Sequence, residues 1–191
     1  NVTNEQINIE GFSQIIRKDR NCYGGGIAIY LSNSIQARRR IDLEPVNVEC
    51  IWMEIENPTS NFFLCYVYRP PTTDTTFWKN FSWSLEKSNE LSDRIIILGD
   101  LNVDFLNIPP SHIIHDILQH NNLTNTIHEP TRITHSTQTL IDHPILTSHD
   151  LTIAETGTLQ TDARLSDHKA TYISLKVDYD TRHAYKRKIW Q

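Results

Sequence analysis

The hydrophobic pattern of the chain is clearest in residues 94–102, where the apolar residues 95–98 are followed by Gly99, Asp100 and Asn102. Such a run predicts a strand that is buried on both faces. The strand would end in polar residues at the rim of a sheet, where α/β proteins commonly build their sites. Because alternate residues of an extended chain point the same way, Asp100 and Asn102 would share one cleft. These residues alone are equally compatible with an ordinary Asp/Asn turn.

Five further segments have the composition of strands. They are residues 27–31, 48–55, 61–68, 139–146 and 170–177. The second of them alternates like a half-buried strand, and short polar turns between segments indicate a largely antiparallel sheet. Three consecutive glycines, residues 24–26, precede the first segment. Since no Gly-Lys-Ser/Thr follows them, they indicate a tight turn rather than a nucleotide-binding loop.

Apolar residues that recur on one face predict two helices. Asp74 would cap the first and Ser111 the second. The residues expected to face inward are Phe77, Phe81 and Leu85 in the first helix, and Ile113, Ile114, Ile117 and Leu118 in the second. His112 and His115 lie one turn apart, but no third ligand is near them in the sequence, so solvent-facing histidines are expected rather than a metal site. Residues 121–138 are expected to form a polar loop.

Length and composition favour one globular domain, alone or with a short tail, in this chain of 191 residues. The net charge of -5 argues against a general polycationic nucleic-acid binder but leaves room for a nuclease with a local basic patch. The three cysteines are too few and too scattered for a disulfide framework or a zinc site, which favours an intracellular protein with reduced thiols. No apolar run approaches membrane-spanning length, so no membrane partner is expected. The dense basic cluster Arg38–Arg40 is either a solvated surface or a contact for a phosphate backbone.

Polar residues with catalytic potential occur at four predicted strand ends. They are Tyr68, Asp100 with Asn102, Asp142, and Asp167 with His168. Asp142 interrupts an apolar strand and therefore needs a partner, whereas His143 should face the opposite way and be structural. If the set converges, it offers what water needs to attack a phosphodiester: a base, an oriented histidine, a metal ligand and anion donors. A serine hydrolase is disfavoured because the chain has no nucleophile elbow.

Three motifs follow one another along the chain: Gly99-Asp100-Leu101-Asn102, residues 139–143 (Thr-Leu-Ile-Asp-His) and Ser166-Asp167-His168. Together they resemble the endonuclease/exonuclease/phosphatase superfamily, which contains deoxyribonuclease I and the apurinic/apyrimidinic endonucleases. Residues 67–71 and 130–134 add to this, and the whole chain looks like the endonuclease domain of a non-LTR (LINE-type) retrotransposon polyprotein.

The resemblance implies a four-layer α/β sandwich of two mixed, mostly antiparallel sheets with helices outside. That domain would span residues 1–177, and residues 178–191 would be a linker towards a reverse transcriptase domain. The implied activity is Mg²⁺-dependent (or Mn²⁺-dependent) nicking of a target DNA duplex, which exposes a 3′ end for reverse transcription. Such a protein would act inside the cell, in the nucleus.

The resemblance also implies a role for each motif residue. Asp100 would activate or position the attacking water and bind the metal with Asp167. Asp142 would orient the imidazole of His168, which would stabilise the charge that develops on the phosphate. The residues expected to contact the substrate are Asn102, Tyr68 and Arg69.

Two departures from the family pattern qualify this expectation. The family's first-strand Asn and its metal-binding Glu have no counterpart, so residues 1–191 are expected to be truncated at the N-terminus, with a central strand lost. Pro144 removes a strand N–H beside His143 and is expected to disturb Asp142. Two alternatives therefore stay open: a catalytically inactive binding module, and a phosphatase of the same superfamily.

Overall fold

The structure, a computed structural model, describes residues 3–12, 14–22, 24–58, 61–72, 75–147 and 152–176. The strands in this part of the chain are β1 Gln14–Asp19, β2 Gly26–Leu31, β3 Ala37–Arg39, β4 Glu49–Ile55, β5 Phe62–Tyr68, β6 Ile95–Asp100, β7 Leu123–Asn125, β8 Arg132–Ile133, β9 Gln138–Thr139, β10 Asp142–Thr147, β11 Thr152–Leu159 and β12 Ala170–Lys176. The α-helices are α1 Thr75–Asn89 and α2 Ile113–His120. The predicted cap Asp74 and the predicted linker 178–191 lie outside the described residues.

A six-stranded sheet with the order β3-β4-β5-β6-β10-β7 is the centre of the fold. Its pairs are antiparallel except β5 and β6, which run parallel. The parallel pair is joined through α1, because a parallel connection needs a crossover that a short turn cannot provide. The predicted strand at 95–98 is confirmed as part of β6, and its residues Ile95–Ile97 are buried. The mixed, mostly antiparallel α/β class expected from the sequence is also confirmed.

The two faces of this sheet are covered by different elements. On one face, Trp52 and Phe63 pack with Phe81 and Leu85 of α1 and with Ile114 of α2. The hairpin β1–β2 packs on the opposite face against β4, and β12 of the hairpin β11–β12 packs there against β6. β4 is therefore buried on both sides, so the prediction of a half-buried strand at 48–55 was wrong.

Helix α2 differs from its prediction at the N-terminus. The capping residue is His112 rather than Ser111, and its Nδ1 accepts a hydrogen bond from the backbone N–H of Ile114 at 3.2 Å. His112 also packs edge-on against Trp78, so it is not simply solvent-facing. Ile113 is 44% exposed and does not face inward. The helix therefore buries a narrower apolar face than the sequence pattern indicates.

Several smaller expectations can be compared with the structure. The segment 121–138 contains β7, β8 and the start of β9, so it is not the continuous loop that was predicted. The glycines at 24–26 form the turn between β1 and β2, all with positive φ, as predicted. The three cysteines are free thiols. Within the residues that are described, no helix has the length and apolar character needed to cross a membrane.

Candidate active site

The strand register places polar side chains in a row across one end of the central sheet. Glu49 of β4 is opposite Tyr68 of β5, Tyr68 is opposite Asp100 of β6, and Asp100 is opposite Asp142 of β10. Directly opposed residues project to the same face of a sheet. Here that face is the one covered by the two hairpins. Tyr66 and Leu98 lie two residues before Tyr68 and Asp100, therefore on the same face, and they pack against that side. Three of the predicted site residues are thus neighbours in one row.

His168 completes this row from the segment that precedes β12. Its Nδ1 lies 2.9 Å from Oδ2 and 3.2 Å from Oδ1 of Asp142, so the predicted contact between the two residues is confirmed. A nitrogen that faces a carboxylate carries the proton, which leaves Nε2 on the other side of the ring for a substrate or water. The backbone N–H of His168 donates to Ser166 Oγ, and the hydroxyl of Thr161 donates to its carbonyl. These two bonds hold the backbone of His168, and Asp142 orients its ring.

Thr131 is a buried residue that connects the strands carrying this pair, and sequence reasoning did not identify it. Its Oγ1 accepts hydrogen bonds from the N–H groups of Ile141 at 3.1 Å and Asp142 at 3.0 Å. Its carbonyl accepts from the N–H of Lys169 at 2.7 Å, one residue past His168. One side chain thus holds Asp142 while the backbone of the same residue holds the segment of His168. A buried polar residue is the signal for such a role, but burial cannot be read from a polar loop sequence.

Asp100 and Asn102 do share one cleft, though not through the extended geometry that the sequence suggested. Asn102 has a φ of 48°, so the chain turns back on itself. Its N–H donates to Asp100 Oδ1 at 2.7 Å, and its Nδ2 donates to Asp100 Oδ2 at 3.2 Å and to the carbonyl of Arg69 at 2.8 Å. Both Nδ2 protons are thus used inside the protein. The amide oxygen is the group with which Asn102 would orient a water molecule or a phosphate.

The donor set in this cleft fits a hard divalent cation. Asp100, Asp142 and His168 each offer a ligand atom, and these atoms all lie within 4.8 Å of one another. Burial raises the pKa of Asp100, and the charge of Asp142 raises it further, against the lowering effect of the Asn102 N–H. A bound cation would offset the cost of two carboxylates at close range. Because the His168 Nδ1 is bonded to Asp142, the carboxylate oxygens are the natural ligands for such a cation.

Two of the predicted site residues, Asp167 and Arg69, lie outside this cleft. Asp167 is exposed at the rim: its Oδ2 accepts from Arg132 Nε at 2.8 Å, and its Oδ1 is 4.0 Å from His168 Nε2. The hydrogen bond from Arg132 lowers the pKa of Asp167. The guanidinium of Arg69 lies over the rings of Phe77 and Trp78 in α1, and Nη1 donates to the carbonyl of Leu101. Arg69 therefore packs against the helix layer, away from the hairpin face that Tyr68 shares with Asp100.

His143 and Pro144 follow Asp142 in β10, and a prediction was made for each of them. His143 is buried on the other face, where Nε2 is 3.1 Å from the carbonyl of Val103, so its structural role is confirmed. Pro144 lies in β10 and its carbonyl accepts from the N–H and hydroxyl of Thr126. The register of Asp142 against Asp100 is intact beside it, so Pro144 does not displace the carboxylate.

Basic residues outside the row are already paired with acids. Arg38 binds Glu54, Arg39 binds Glu44 and Arg40 binds both Asp42 and Glu54. This supports the interpretation of the cluster as a charged surface rather than as a phosphate contact. Arg20 binds Glu49 at 2.6 Å and stacks over the ring of Tyr68, with Cζ 4.4 Å from the ring centroid. Glu49 and Arg20 were not identified from the sequence, because only the strand register brings them to the row.

Comparison with known proteins gives both a family and a fold. The model of the endonuclease/exonuclease/phosphatase family matches residues 5–168. The endonuclease domain of TRAS1, a telomere-specific non-LTR retrotransposon, has a TM-score of 0.68 at 14% identity, over 86% of this chain and 78% of that chain. A mannosyl-6-phosphatase from Bacteroides thetaiotaomicron has a TM-score of 0.55 at 16% identity, over 91% and 79%. The 3′ phosphatase NExo from Neisseria has a TM-score of 0.52 at 10% identity, over 77% and 71%.

At these identities the structural likenesses show the fold alone. A search of curated protein sequences finds no match. The family model, in contrast, spans most of the chain and includes the segments of Asp100, Asp142 and His168 that meet in the cleft. The chain therefore belongs to the endonuclease/exonuclease/phosphatase family.

Proposed function

We propose that this protein is a Mg²⁺- or Mn²⁺-dependent phosphodiester hydrolase that nicks duplex DNA, as the endonuclease domain of a non-LTR retrotransposon. Its family consists of metal-dependent hydrolases that include nucleases and phosphatases. The observation that carries the proposal is the pairing of Asp142 with His168 beside the half-buried Asp100. The endonuclease domain of TRAS1, with a TM-score of 0.68, supports the choice of DNA as substrate.

The residues of the cleft divide the reaction between them. Asp100, which is half-buried beside Asp142, accepts a proton from the attacking water. Asp142 accepts a hydrogen bond from Nδ1 of His168 and orients the ring, so that Nε2 is available to stabilise negative charge on the phosphate. Asn102 orients the water with its amide oxygen, and Tyr68 lies next to Asp100 for contact with the phosphate. A divalent cation at the carboxylates would supply positive charge to the phosphate oxygens.

The bonds that change define the products. The water oxygen forms a bond to phosphorus and gives one proton to Asp100. The bond from phosphorus to the 3′ oxygen breaks, and that oxygen takes up a proton from solvent. The strand is left with a 5′ phosphate and a 3′ hydroxyl, the group that a reverse transcriptase extends. The proposal therefore includes a reverse transcriptase domain as the partner in the parent polyprotein and the nucleus as the place of action.

Nicking of supercoiled plasmid tests the proposal. With Mg²⁺ we expect nicking by the wild type, loss with EDTA, and a decrease of about 10² to 10⁴ in rate for Asp100→Asn and His168→Ala. His115→Ala is the matched control, since this exposed histidine lies outside the cleft and should nick like the wild type. Nicking that survives both cleft substitutions contradicts the proposal. DNA binding without any cleavage would indicate the inactive binding module.

A phosphatase is the second candidate, because two of the similar structures are phosphatases, one of them a mannosyl-6-phosphatase. The same cleft would serve it, with a monoester in place of the diester. A panel of sugar phosphates and of duplexes ending in a 3′ phosphate separates the two functions. Release of phosphate from that panel, without plasmid nicking, would favour the phosphatase.

A further inference from the structure

Arg132 lies directly opposite His168 on a neighbouring segment. The two residues form an antiparallel bridge, flanked by hydrogen bonds from Ile133 N–H to the Asp167 carbonyl at 2.9 Å and from Lys169 N–H to the Thr131 carbonyl at 2.7 Å. Opposed residues of such a bridge project to the same side. The side chain of Arg132 is therefore directed to the side on which His168 acts.

Asp167 links the guanidinium of Arg132 to the free edge of the imidazole. Its Oδ2 accepts from Arg132 Nε at 2.8 Å, and its Oδ1 lies 4.0 Å from His168 Nε2. Nε2 is the ring nitrogen that faces away from Asp142. A phosphate oxygen bound to Nε2 would thus be separated from the guanidinium of Arg132 only by the carboxylate of Asp167.

The ion pair of Arg132 is loose compared with those of the basic cluster. The side chains of Arg132 and Asp167 are 42% and 43% exposed, whereas every ion pair of the basic cluster has one partner that is at most 15% exposed. An exposed ion pair contributes little to stability and is readily exchanged. Among the described residues, no acceptor binds Nη1 or Nη2 of Arg132. This leaves two parallel donors, an arrangement that suits phosphate oxygens.

We propose that Arg132 is a phosphate-binding residue, whose Nη1 and Nη2 hold a non-bridging oxygen of the nucleic-acid backbone at the position served by His168 Nε2. The inference rests on the proposed function. It adds a residue whose positive charge attracts the polyanionic substrate to a cleft that contains Asp100 and Asp142. Without substrate, Asp167 holds the guanidinium. When substrate is bound, the guanidinium of Arg132 contacts both Asp167 and the phosphate.

Titration of the full chain with inorganic phosphate tests this independently of activity. The readouts are the Nε–H resonance of Arg132 in the wild type labelled with ¹⁵N-arginine and, for the affinity of every variant, isothermal titration calorimetry. We expect this resonance to shift in the wild type, and phosphate affinity to fall about tenfold in Arg132→Gln. Asp167→Asn should leave affinity unchanged or increase it, because it removes the competing carboxylate. Arg164→Gln is the matched control, since Arg164 is 88% exposed and is paired with Asp162.

Kinetics with duplex DNA provide the second readout. Arg132→Gln should raise KM about tenfold with a smaller effect on kcat, and should reduce the slope of log KM against log salt by about one. Arg132→Lys should restore the salt slope but only part of the affinity, since it keeps the charge without the two parallel donors.

Two results would overturn the inference. Equal weakening of phosphate binding by Arg132→Gln and Asp167→Asn would mean that Arg132 only positions Asp167. Equal effects of Arg132→Gln and Arg164→Gln would mean that only the general surface charge matters. If the wild type cleaves no phosphodiester, the proposed function fails, while the phosphate titration still decides the role of Arg132.

Discussion

His143 and Asp142 are consecutive in β10, yet the sheet gives them opposite tasks. Asp142 points into the cleft and binds His168, whereas His143 is buried against Phe105 on the helix side. Burial lowers the pKa of His143 to about 4, against the raising effect of its contact with the Val103 carbonyl. A histidine beside the site is thus kept neutral for packing, and its titration affects stability rather than chemistry.

Stability should fall in mild acid because of His143. The unfolded chain binds a proton near the usual histidine pKa of 6.5, but the folded protein does so only at a pKa of about 4. Above the unfolded pKa both states are neutral. As the pH falls from about 6.5 to about 4, the unfolded state takes up the proton first, so the free energy of unfolding decreases, by about 2 kcal/mol between pH ~7 and ~5. Urea unfolding at the two pH values measures this.

His143→Gln should lose about 2 kcal/mol less than the wild type over the same interval, because the group that titrates is gone. His115→Gln, at an exposed position, is the control and should keep the wild-type pH dependence. If His143→Gln is as acid-sensitive as the wild type, another group is responsible.

The site could be predicted where one residue's chemistry demands a partner. Asp142 on an apolar strand required one, and His168 provides it. The predictions were weaker where position depends on the path of the backbone. Asn102 turns back through a positive φ, and Asp167 is drawn to Arg132. Neither feature leaves a periodic signal in the sequence. The metal role expected for Asp167 stays a prediction.

At the scale of the element, Gly99 allows β6 to run beside β5 just before the site. Its φ is +139°, and a Cβ there would lie 1.9 Å from the carbonyl oxygen of Val67. The next residue, Asp100, is the one that β6 delivers to the cleft. The close parallel pairing that positions Asp100 therefore needs a residue without a side chain.

Gly99→Ala should prevent folding or destabilise the protein by more than about 3 kcal/mol, because backbone must move to admit the Cβ. Gly11→Ala is the matched control: its φ of +89° carries the same kind of strain, but nothing lies within 4 Å of the added atom. We expect it to cost about 1 kcal/mol. Thermal and urea unfolding of the two variants measure the difference. Equal effects would show that backbone conformation alone, without the clash, determines the cost.

Elements were predictable where an apolar pattern marks them locally, whereas β1 and the eight-residue β11 were not predicted. The apolar run of β6 and the one-sided pattern of α1 are local signals, and both are confirmed. The strands β7, β8 and β9 have two or three residues each and are too short to show alternation. The burial of β4 on both faces depends on the β1–β2 hairpin, which comes from a distant part of the sequence. Such tertiary cover cannot be read from the strand itself.

At the scale of the whole molecule, the cleft gathers acidic groups in a chain that is already acidic. The net charge is -5, and the carboxylates of Asp100 and Asp142 stand opposite each other on neighbouring strands. Their repulsion is met in part by His168, which binds Asp142, and by the Asn102 donors, which bind Asp100. A cation bound in this cleft would therefore reduce the repulsion between the two carboxylates and stabilise the folded protein.

Mg²⁺ or Mn²⁺ should therefore raise the melting temperature of the wild type at constant ionic strength. A ligand that binds only the folded state adds about 1.4 kcal/mol at ten times its Kd. Asp100→Asn should lose most of this stabilisation, because it replaces a charged carboxylate of the group within 4.8 Å by a neutral amide. Asp162→Asn, an exposed carboxylate paired with Arg164, should keep it. Differential scanning calorimetry with stepwise metal addition measures the shift. If both variants respond to the metal like the wild type, the cation binds elsewhere on the surface and the cleft is not a metal centre.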